Sequence, residues 1–238
     1  MIQFYAPDIA TDPTLPESDS QHCVRVLRMR EGDPVQAVDG RGLRYRCRIA
    51  IAHPKRTLLH VESVEEQLRV WPADISVAVA PTKHSDRIEW LVEKLVEIGV
   101  DRITPLRCMR SERRDINAER LRKIAVAAMK QSLKALLPRV DEMTPLTAYL
   151  AETAASGEQR FVGYCDADTE RRLLARAYSP GAPVRLLIGP EGDFAPEEIA
   201  AALRAGYAPV TMGDNRLRTE TAALTACDTI HIVNQLML

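Results

Sequence analysis

Val184-Arg-Leu-Leu-Ile-Gly-Pro-Glu-Gly-Asp-Phe194 runs an apolar stretch of strand length straight into a turn with two glycines, and Val210-Thr-Met-Gly-Asp-Asn-Arg-Leu-Arg-Thr-Glu-Thr221 repeats the plan one helix later. The first reads as a strand over 184–188, a loop over 189–194 and a helix over 196–205. That helix has Pro196 near its first position and Glu197 and Glu198 in its first turn, as helix starts favour. The glycines let a backbone approach a ligand closely, but the two carboxylates disfavour an anion at the helix start, so the loop is no phosphate cradle. The second stretch reads as a strand over 210–212, a loop with Thr219 as candidate cap, and a terminal helix over 221–236. Taken singly, each loop is equally an ordinary β-to-α turn.

Upstream the same alternation continues. An apolar strand over 75–80 precedes a helix with Ser85 as N-cap, Ile88, Leu91, Val92, Leu95 and Ile98 at helical spacing, and Gly99 as its stop. Strands over 103–106 and 161–165 and helices over 118–136 and 170–177 complete the series. Strand–helix alternation predicts a mostly parallel sheet covered on both faces, with ligands beyond the carboxyl ends of the strands. The terminal helix carries Ala222, Ala223, Leu224, Ala226, Cys227, Ile230, Ile232 and Val233. That is more apolar surface than a one-faced helix requires, so it should be covered by its own domain and by a second subunit.

Before residue 69 the pattern is different: strands over 34–38, 43–52 and 57–64 and an Asp39-Gly40 turn predict a small antiparallel barrel or sheet. A boundary follows over 67–74, at Trp71-Pro72. In Leu43-Arg-Tyr-Arg-Cys-Arg-Ile49 apolar and basic residues alternate, so a strand here buries Leu43, Tyr45, Cys47 and Ile49 and exposes Arg44, Arg46 and Arg48 about 6.6 Å apart. The ladder suits a row of phosphates, or equally an edge strand guarded by charge.

The 238-residue chain has a net charge of −1, but the charge is unevenly placed. Residues 22–56 hold nine Lys/Arg against three Asp/Glu and residues 102–140 eleven against three, leaving −15 on the remainder. Two basic segments in an acidic chain point to an extended polyanion such as nucleic acid, the bland alternative being solvated faces. With three Phe and two Trp, a phosphate-tracking surface is favoured over one of stacked bases. Five scattered cysteines without a Cys-x-x-Cys pair indicate reduced thiols in a cytoplasmic protein. No histidine pairing supports a metal site, and no stretch reaches the roughly 20 apolar residues a membrane span needs. The Gly-x-Gly-x-x-Gly, Walker A and Gly-x-Ser-x-Gly signatures are absent.

In this context several motifs, in order, carry a resemblance over nearly the whole chain. They are His22-Cys-Val-Arg-Val-Leu27-Arg28, Gly32-Asp33, Asp39-Gly40, Lys83-His-Ser-Asp86-Arg87-Ile-Glu89, Glu93-Lys94-Leu-Val-Glu97-Ile-Gly99-Val, Arg110-Ser111-Glu112-Arg113, Leu187-Ile-Gly-Pro-Glu-Gly192 and Leu217-Arg218-Thr219-Glu220-Thr221-Ala222. The chain resembles the RsmE family, S-adenosyl-L-methionine-dependent methyltransferases of the SPOUT class that act on N3 of a uridine in 16S rRNA. It departs from the family at Lys130-Gln131-Ser132-Leu133-Lys134, where many members read Glu-Gln-Ser-Gly-Arg.

The resemblance implies an α/β fold: a small N-terminal PUA-like RNA-binding β-barrel over 1–69, and a SPOUT α/β-knot domain over 73–238 with a mostly parallel sheet and a C-terminal trefoil knot. It also implies a homodimer acting on 16S rRNA or the small ribosomal subunit, without membrane or metal. Leu187, Gly189, Pro190, Glu191, Gly192, Met212, Gly213, Leu217, Arg218 and Thr219 then hold the cofactor. Arg218 stabilises charge on the uracil oxygens or, alternatively, forms a salt bridge to Glu191 or Glu220, while Glu191, Glu220 and solvent are the candidate proton acceptors. Arg25, Arg28, Arg44, Arg46, Arg110 and Arg113 are the expected phosphate contacts, joined by Gln131 and by Lys134 in place of the missing cation. Glu93 and Glu97 repel one another at i, i+4 and need Lys94 or another cation between them. The competing reading is a non-catalytic rRNA-binding assembly factor that keeps the fold.

Overall fold

The computed structural model describes residues 2–164 and 171–236, in two compact units: Met1–Val70 with Val126–Leu137, and Trp71–Ala125 with Pro138–Leu238. Cys165 and Glu170, which bound an expected strand and an expected helix, lie outside the described residues.

The first unit is built on β1 (Gln3–Tyr5), α1 (Glu17–Gln21), β2 (Pro34–Val38), β3 (Leu43–Ile51) and β4 (Leu58–Glu66). The sheet order is β1-β2-β3-β4, antiparallel except that β1 runs parallel to β2. A parallel neighbour needs a crossover, and here residues 6–33 supply it through α1 and a π-helical turn, His22–Val26. On its way this crossover bridges the opposite edge, Leu15 N donating to Thr57 O at 2.9 Å and Leu59 N to Pro13 O at 2.8 Å. The chain thus closes the sheet around Phe4, Ile9, Leu15, Cys23, Val35, Tyr45, Cys47, Ile49 and Leu59. Leu43, expected inside, is exposed; it pairs with Glu66 at the far end of the β3–β4 ribbon, beyond Tyr45, the last core side chain of β3 in that direction.

The helix expected over 118–136 stops at Gln131, giving α3 (Ala118–Gln131). Lys134 N closes back on Met129 O at 3.0 Å, and Leu133 takes φ 55°. Freed from the helix, residues 133–137 run beside the first unit's sheet. Gly42 N donates to Ala135 O at 3.0 Å and Leu137 N to Gly40 O at 2.9 Å, while Lys130 pairs with Asp19 at 2.7 Å. Gly40 is needed in this contact: at φ 80° its Cβ would lie 3.0 Å from the Tyr5 ring and 3.3 Å from Leu137.

The second unit comprises β5 (Ile75–Val79), α2 (Ser85–Ile98), β6 (Arg102–Arg107), the first turns of α3, β7 (Arg139–Val140), β8 (Thr144–Pro145), α4 (Leu146–Leu150), β9 (Gln159–Gly163), β10 (Arg172–Leu173), α5 (Leu174–Ala177), β11 (Val184–Ile188), α6 (Pro196–Arg204), β12 (Ala208–Thr211) and α7 (Thr219–Leu236). All its strand pairs are parallel, in the order β10-β12-β9-β11-β5-β6-β7, with β8 also on β6. β11, buried at every position, fills the gap between β9 and β5. His84 rather than Ser85 caps α2, because its extended backbone leaves Ser85 already helical. Gly99 ends α2 at φ 124°, where a Cβ would lie 2.6 Å from the Trp71 ring; Trp71, expected in a linker, is buried there. Lys94 bridges Glu93 at 2.7 Å and Glu97 at 2.9 Å, the cation their repulsion requires. α7 buries Ala222, Ala223, Ala226, Cys227, Ile230, His231 and Asn234, packs on α2, β5, β11 and α5, and leaves Ile232 and Leu236 exposed.

At the amino ends of the strands Arg160, Arg185 and Arg102 stand in one row across β9, β11 and β6, with Ser76 of β5 between the last two. Glu158 links Arg160 at 2.7 Å to Arg185 at 3.1 Å, Glu152 takes Arg102 at 2.5 Å and Arg185 at 3.4 Å, and Asp141 takes Arg102 at 2.6 Å. The Tyr149 ring lies between the Arg102 and Arg185 guanidiniums, 5.5 and 5.3 Å from its centre. Arg102's hydrogen bonds hold Glu152 below the ordinary carboxylate range. Burial would raise Asp141, but Thr104 and Arg102 outweigh it and lower it. Burial pushes the Tyr207 phenol, beside Arg185, up to about 12.

Candidate active site

The carboxyl ends of β5 and β11 are joined by a bond from Ala80 N to Ile188 O at 3.1 Å. Beyond β11 the loop is braced from within. Asp193, at φ 61°, accepts from Phe194 N at 2.8 Å, and the buried Phe194 ring leaves no room at Gly189, whose Cβ would lie 2.9 Å from it. Glu198 accepts from Ala195 N at 2.9 Å and from Met109 N at 2.8 Å, so one of the acidic first-turn residues of α6 serves the loop itself. Arg110, expected on a phosphate, reaches Gly192 O at 3.1 Å and Phe194 O at 3.2 Å.

The loop after β12 turns at Gly213, φ 132°, with Thr211 Oγ1 donating to Gly213 O at 2.7 Å. Met212 reaches back over β9; a Cβ on Gly163 would meet its Cε at 3.2 Å. Thr219, expected as a cap, is already the first residue of α7, and its hydroxyl donates across to Gly189 O at 3.2 Å, tying the two loops together.

Between these loops and the start of α2 lies a cleft of about 460 Å³ lined by His84, Arg87, Glu191, Arg216, Leu217, Arg218, Thr219 and Glu220, a volume suited to a small molecule or a nucleotide. Thr219 and Glu220 also adjoin Val79, Ala80, Pro81, Ile88 and Leu91, among which there is no room for a water molecule. Glu191, Leu217, Arg218, Thr219 and Glu220 are therefore brought together. Leu187, Gly189 and Pro190 are buried behind the lining, Gly192 is exposed in the first loop, and Met212 and Gly213 form the turn of the second. Sequence reasoning missed His84, Arg87 and Arg216 as lining residues; the first two lie in the Lys83 to Glu89 motif, the only signal that pointed to them.

The charges in the cleft pair selectively. Arg87 Nη1 meets Glu220 Oε1 at 2.8 Å, with 30% and 12% of the two side chains exposed. Glu220 Oε2 is shielded from solvent and has no hydrogen-bond partner. Arg218, for which a salt bridge to Glu191 or Glu220 was the alternative, makes no ion pair among the described residues and is exposed at the mouth.

Among the other expected RNA contacts, Arg25 and Arg28 of the first unit are exposed and without ion pairs among the described residues. Arg44 and Arg46 lie 3.6 and 3.4 Å from Glu65, and Arg48 2.6 Å from Glu62. Arg44 also donates to Leu133 O at 3.0 Å. Gln131 is exposed at the end of α3, and Lys134 is half-buried with its carbonyl accepting from Gln3 at 2.8 Å. In the second unit Arg113 donates to Lys83 O at 3.0 Å.

Residues 69–231 match the model of the RNA methyltransferase domain family. The chain belongs to that family. Residues 15–62 match its companion, the RNA methyltransferase PUA domain. The ribosomal RNA small subunit methyltransferase E of Mycobacterium bovis is 31% identical over 95% of this chain and 88% of its own length. Among solved structures, a probable rRNA methyltransferase from Porphyromonas gingivalis is 44% identical, covers both chains completely and superposes with a TM-score of 0.94. The Neisseria gonorrhoeae ribosomal RNA small subunit methyltransferase E bound to S-adenosyl methionine is 25% identical over 98% of each chain, with a TM-score of 0.83. This methyltransferase thus has the expected α/β fold of the SPOUT class, with a mostly parallel sheet and an N-terminal PUA domain.

Proposed function

We propose that this methyltransferase uses S-adenosyl-L-methionine to methylate N3 of a uridine in the 16S rRNA of the small ribosomal subunit. The observation that carries the reading is the cleft at the carboxyl ends of β5, β11 and β12, into which Arg218, Glu191 and Glu220 face. Its surroundings fit the donor: backbone groups of Leu187, Gly189, Gly192, Met212, Gly213 and Leu217, with Pro190 and Thr219, offer amides and apolar walls. When bound, that donor supplies a methyl group on a positively charged sulfur.

The protein's own task is then positioning and proton handling. N3 must lose its proton, and Glu220, which lines the cleft and has one shielded oxygen without a partner, is better placed to accept it than the exposed Glu191. Arg218 answers the negative charge that develops on the uracil oxygens. Arg25, Arg28, Arg44, Arg46, Gln131 and Lys134, with Arg110 and Arg113, contact the RNA; the exposed pairs to Glu65 are weak enough to yield to phosphate. The PUA-like domain comprises 1–69 and the catalytic domain 73–238, whose terminal segment forms a trefoil knot. The enzyme is a cytoplasmic homodimer whose partner covers the exposed Ile232 and Leu236 of α7. Among the described residues no helix is long and apolar enough to cross a membrane.

Incubating labelled donor with 16S RNA and with small subunits from a strain lacking this protein, then mapping the modified base, tests the reading. N3-methyluridine at one position is expected. Absence of both the product and saturable calorimetric binding of the donor overturns it in favour of a non-catalytic assembly factor.

A further inference from the structure

Arg87 and Glu220 sit in the first turns of α2 and α7, two helices that pack on each other. Arg87 occupies one carboxylate oxygen, Oε1, and so fixes the rotation of the group. The other, Oε2, is out of reach of water and bonds to nothing. An acceptor left this way costs on the order of 1–3 kcal/mol, more when charged, a cost recovered only if a ligand brings a donor. The residue lines the polar cleft, which has room for a base, and on its other side packs against the apolar Val79, Ala80, Ile88 and Leu91.

We infer that Arg87 is a positioning residue that turns Glu220 Oε2 toward the base, and that this oxygen selects uracil over cytosine. The inference rests on the uridine reading above. Uracil carries a hydrogen on N3 and satisfies Oε2; cytosine presents a lone pair at N3 and sets two acceptors against each other. Sites built to receive a hydrogen reject an analogue lacking it far more strongly than apolar pockets reject a change of size.

The test compares the full-length wild type with Arg87→Ala, Arg87→Lys, Glu220→Gln and the Arg87→Ala/Glu220→Gln double variant. The substrates are unmodified small subunits with the target uridine intact or replaced by cytidine. Arg87→Ala should lower kcat at least about tenfold, with KM for the subunit and calorimetric affinity for S-adenosyl-L-methionine within about twofold of wild type. Arg87→Lys should recover most of the loss. Adding Arg87→Ala to Glu220→Gln should cost nothing further, because the two act as one unit. Glu220→Gln should narrow the uridine-to-cytidine ratio of subunit binding affinities by about tenfold or more, since an amide can also donate to cytosine N3. A merely structural role lowers both substrates together and leaves the ratio unchanged. An unchanged ratio, additive losses, or donor affinity falling in step with kcat would overturn the inference. A wild type that methylates no uridine defeats the proposed function itself, whereas an active wild type matched by Arg87→Ala defeats only this step.

Discussion

Along the amino ends of β6, β9 and β11, Arg102, Arg160 and Arg185 interleave with Asp141, Glu152 and Glu158, and each charge lies within 3.4 Å of an opposite one. At the carboxyl ends of β5, β11 and β12, Arg87, Arg216 and Arg218 share a cleft with Glu191 and Glu220, and among the described residues only Arg87 and Glu220 pair. The residue types are the same, and so is the sheet. What differs is ion pairing. At the closed end every charge has an opposite partner, and what lacks a hydrogen bond there, Arg185 Nε and the Tyr149 and Tyr207 hydroxyls, is sealed from solvent, whereas the open end keeps unpaired guanidiniums and an unpartnered carboxylate oxygen beside a cleft. Charged clusters in this fold are therefore to be judged by what remains unanswered, not by how many charges they contain.

The largest effect should come from opening the closed end. Arg160 and Arg185 are neighbours in register, and Glu158, itself nearly buried, is their common partner. Glu158→Gln leaves Arg160 with no ion-pair partner among the described residues and Arg185 with Glu152 alone, at 3.4 Å, and removing one member of a buried ion pair costs about 3–5 kcal/mol. Denaturant unfolding should show that loss, while the folded fraction binds S-adenosyl-L-methionine as the wild type does. A loss under about 1 kcal/mol, the value of a surface pair, would erase the contrast between the two ends.

The converse change at the open end should leave stability alone and strike turnover. Arg218 is exposed and pairs with nothing among the described residues, so Arg218→Ala removes little from the fold. If Arg218 meets charge that develops only in the transition state, kcat should fall about a hundredfold, some 2.7 kcal/mol of barrier, with donor affinity held within about twofold. Equal turnover in wild type and variant would assign the unpaired cation to solvent.

The loops that make the open end were legible because their signals are local: apolar runs of strand length, glycines at the turns and helix-opening chemistry after them. Arg87 was not, since on α2 it resembles any solvated charge; its partner is 133 positions away and meets it only through the packing of α2 on α7. Thr219 has the right type for a cap, yet the hydroxyl is drawn to Gly189 O on another strand's loop. Residues 132–136 read as the continuation of a helix, because the bonds that hold this stretch to Gly40 and Gly42 are long-range. The arginine ladder of β3 was visible in the alternation, but its neutralisation by Glu62 and Glu65 depends on the register with β4, and a one-residue slip would have turned it away.

The first unit repeats the contrast on a smaller scale. Arg25 and Arg28 are exposed and without ion pairs among the described residues, Arg28 in a left-handed turn at φ 55° just after the π-helical turn, whereas Arg46 faces Glu65 at 3.4 Å. An arginine that meets a phosphate releases counterions and adds about 1 to the salt dependence of RNA binding. Arg46 must first leave Glu65, whose charge then opposes the same phosphate, so its net contribution is smaller. Arg28→Ala should accordingly lower the slope of log K against log salt by about 1, and Arg46→Ala by clearly less. Glu65→Gln should strengthen binding at low salt by releasing Arg44 and Arg46 together. Equal slopes for the two arginine variants would mean that the Glu65 pair breaks at no cost, and ion pairing would then distinguish ligand-binding charges only where they are buried.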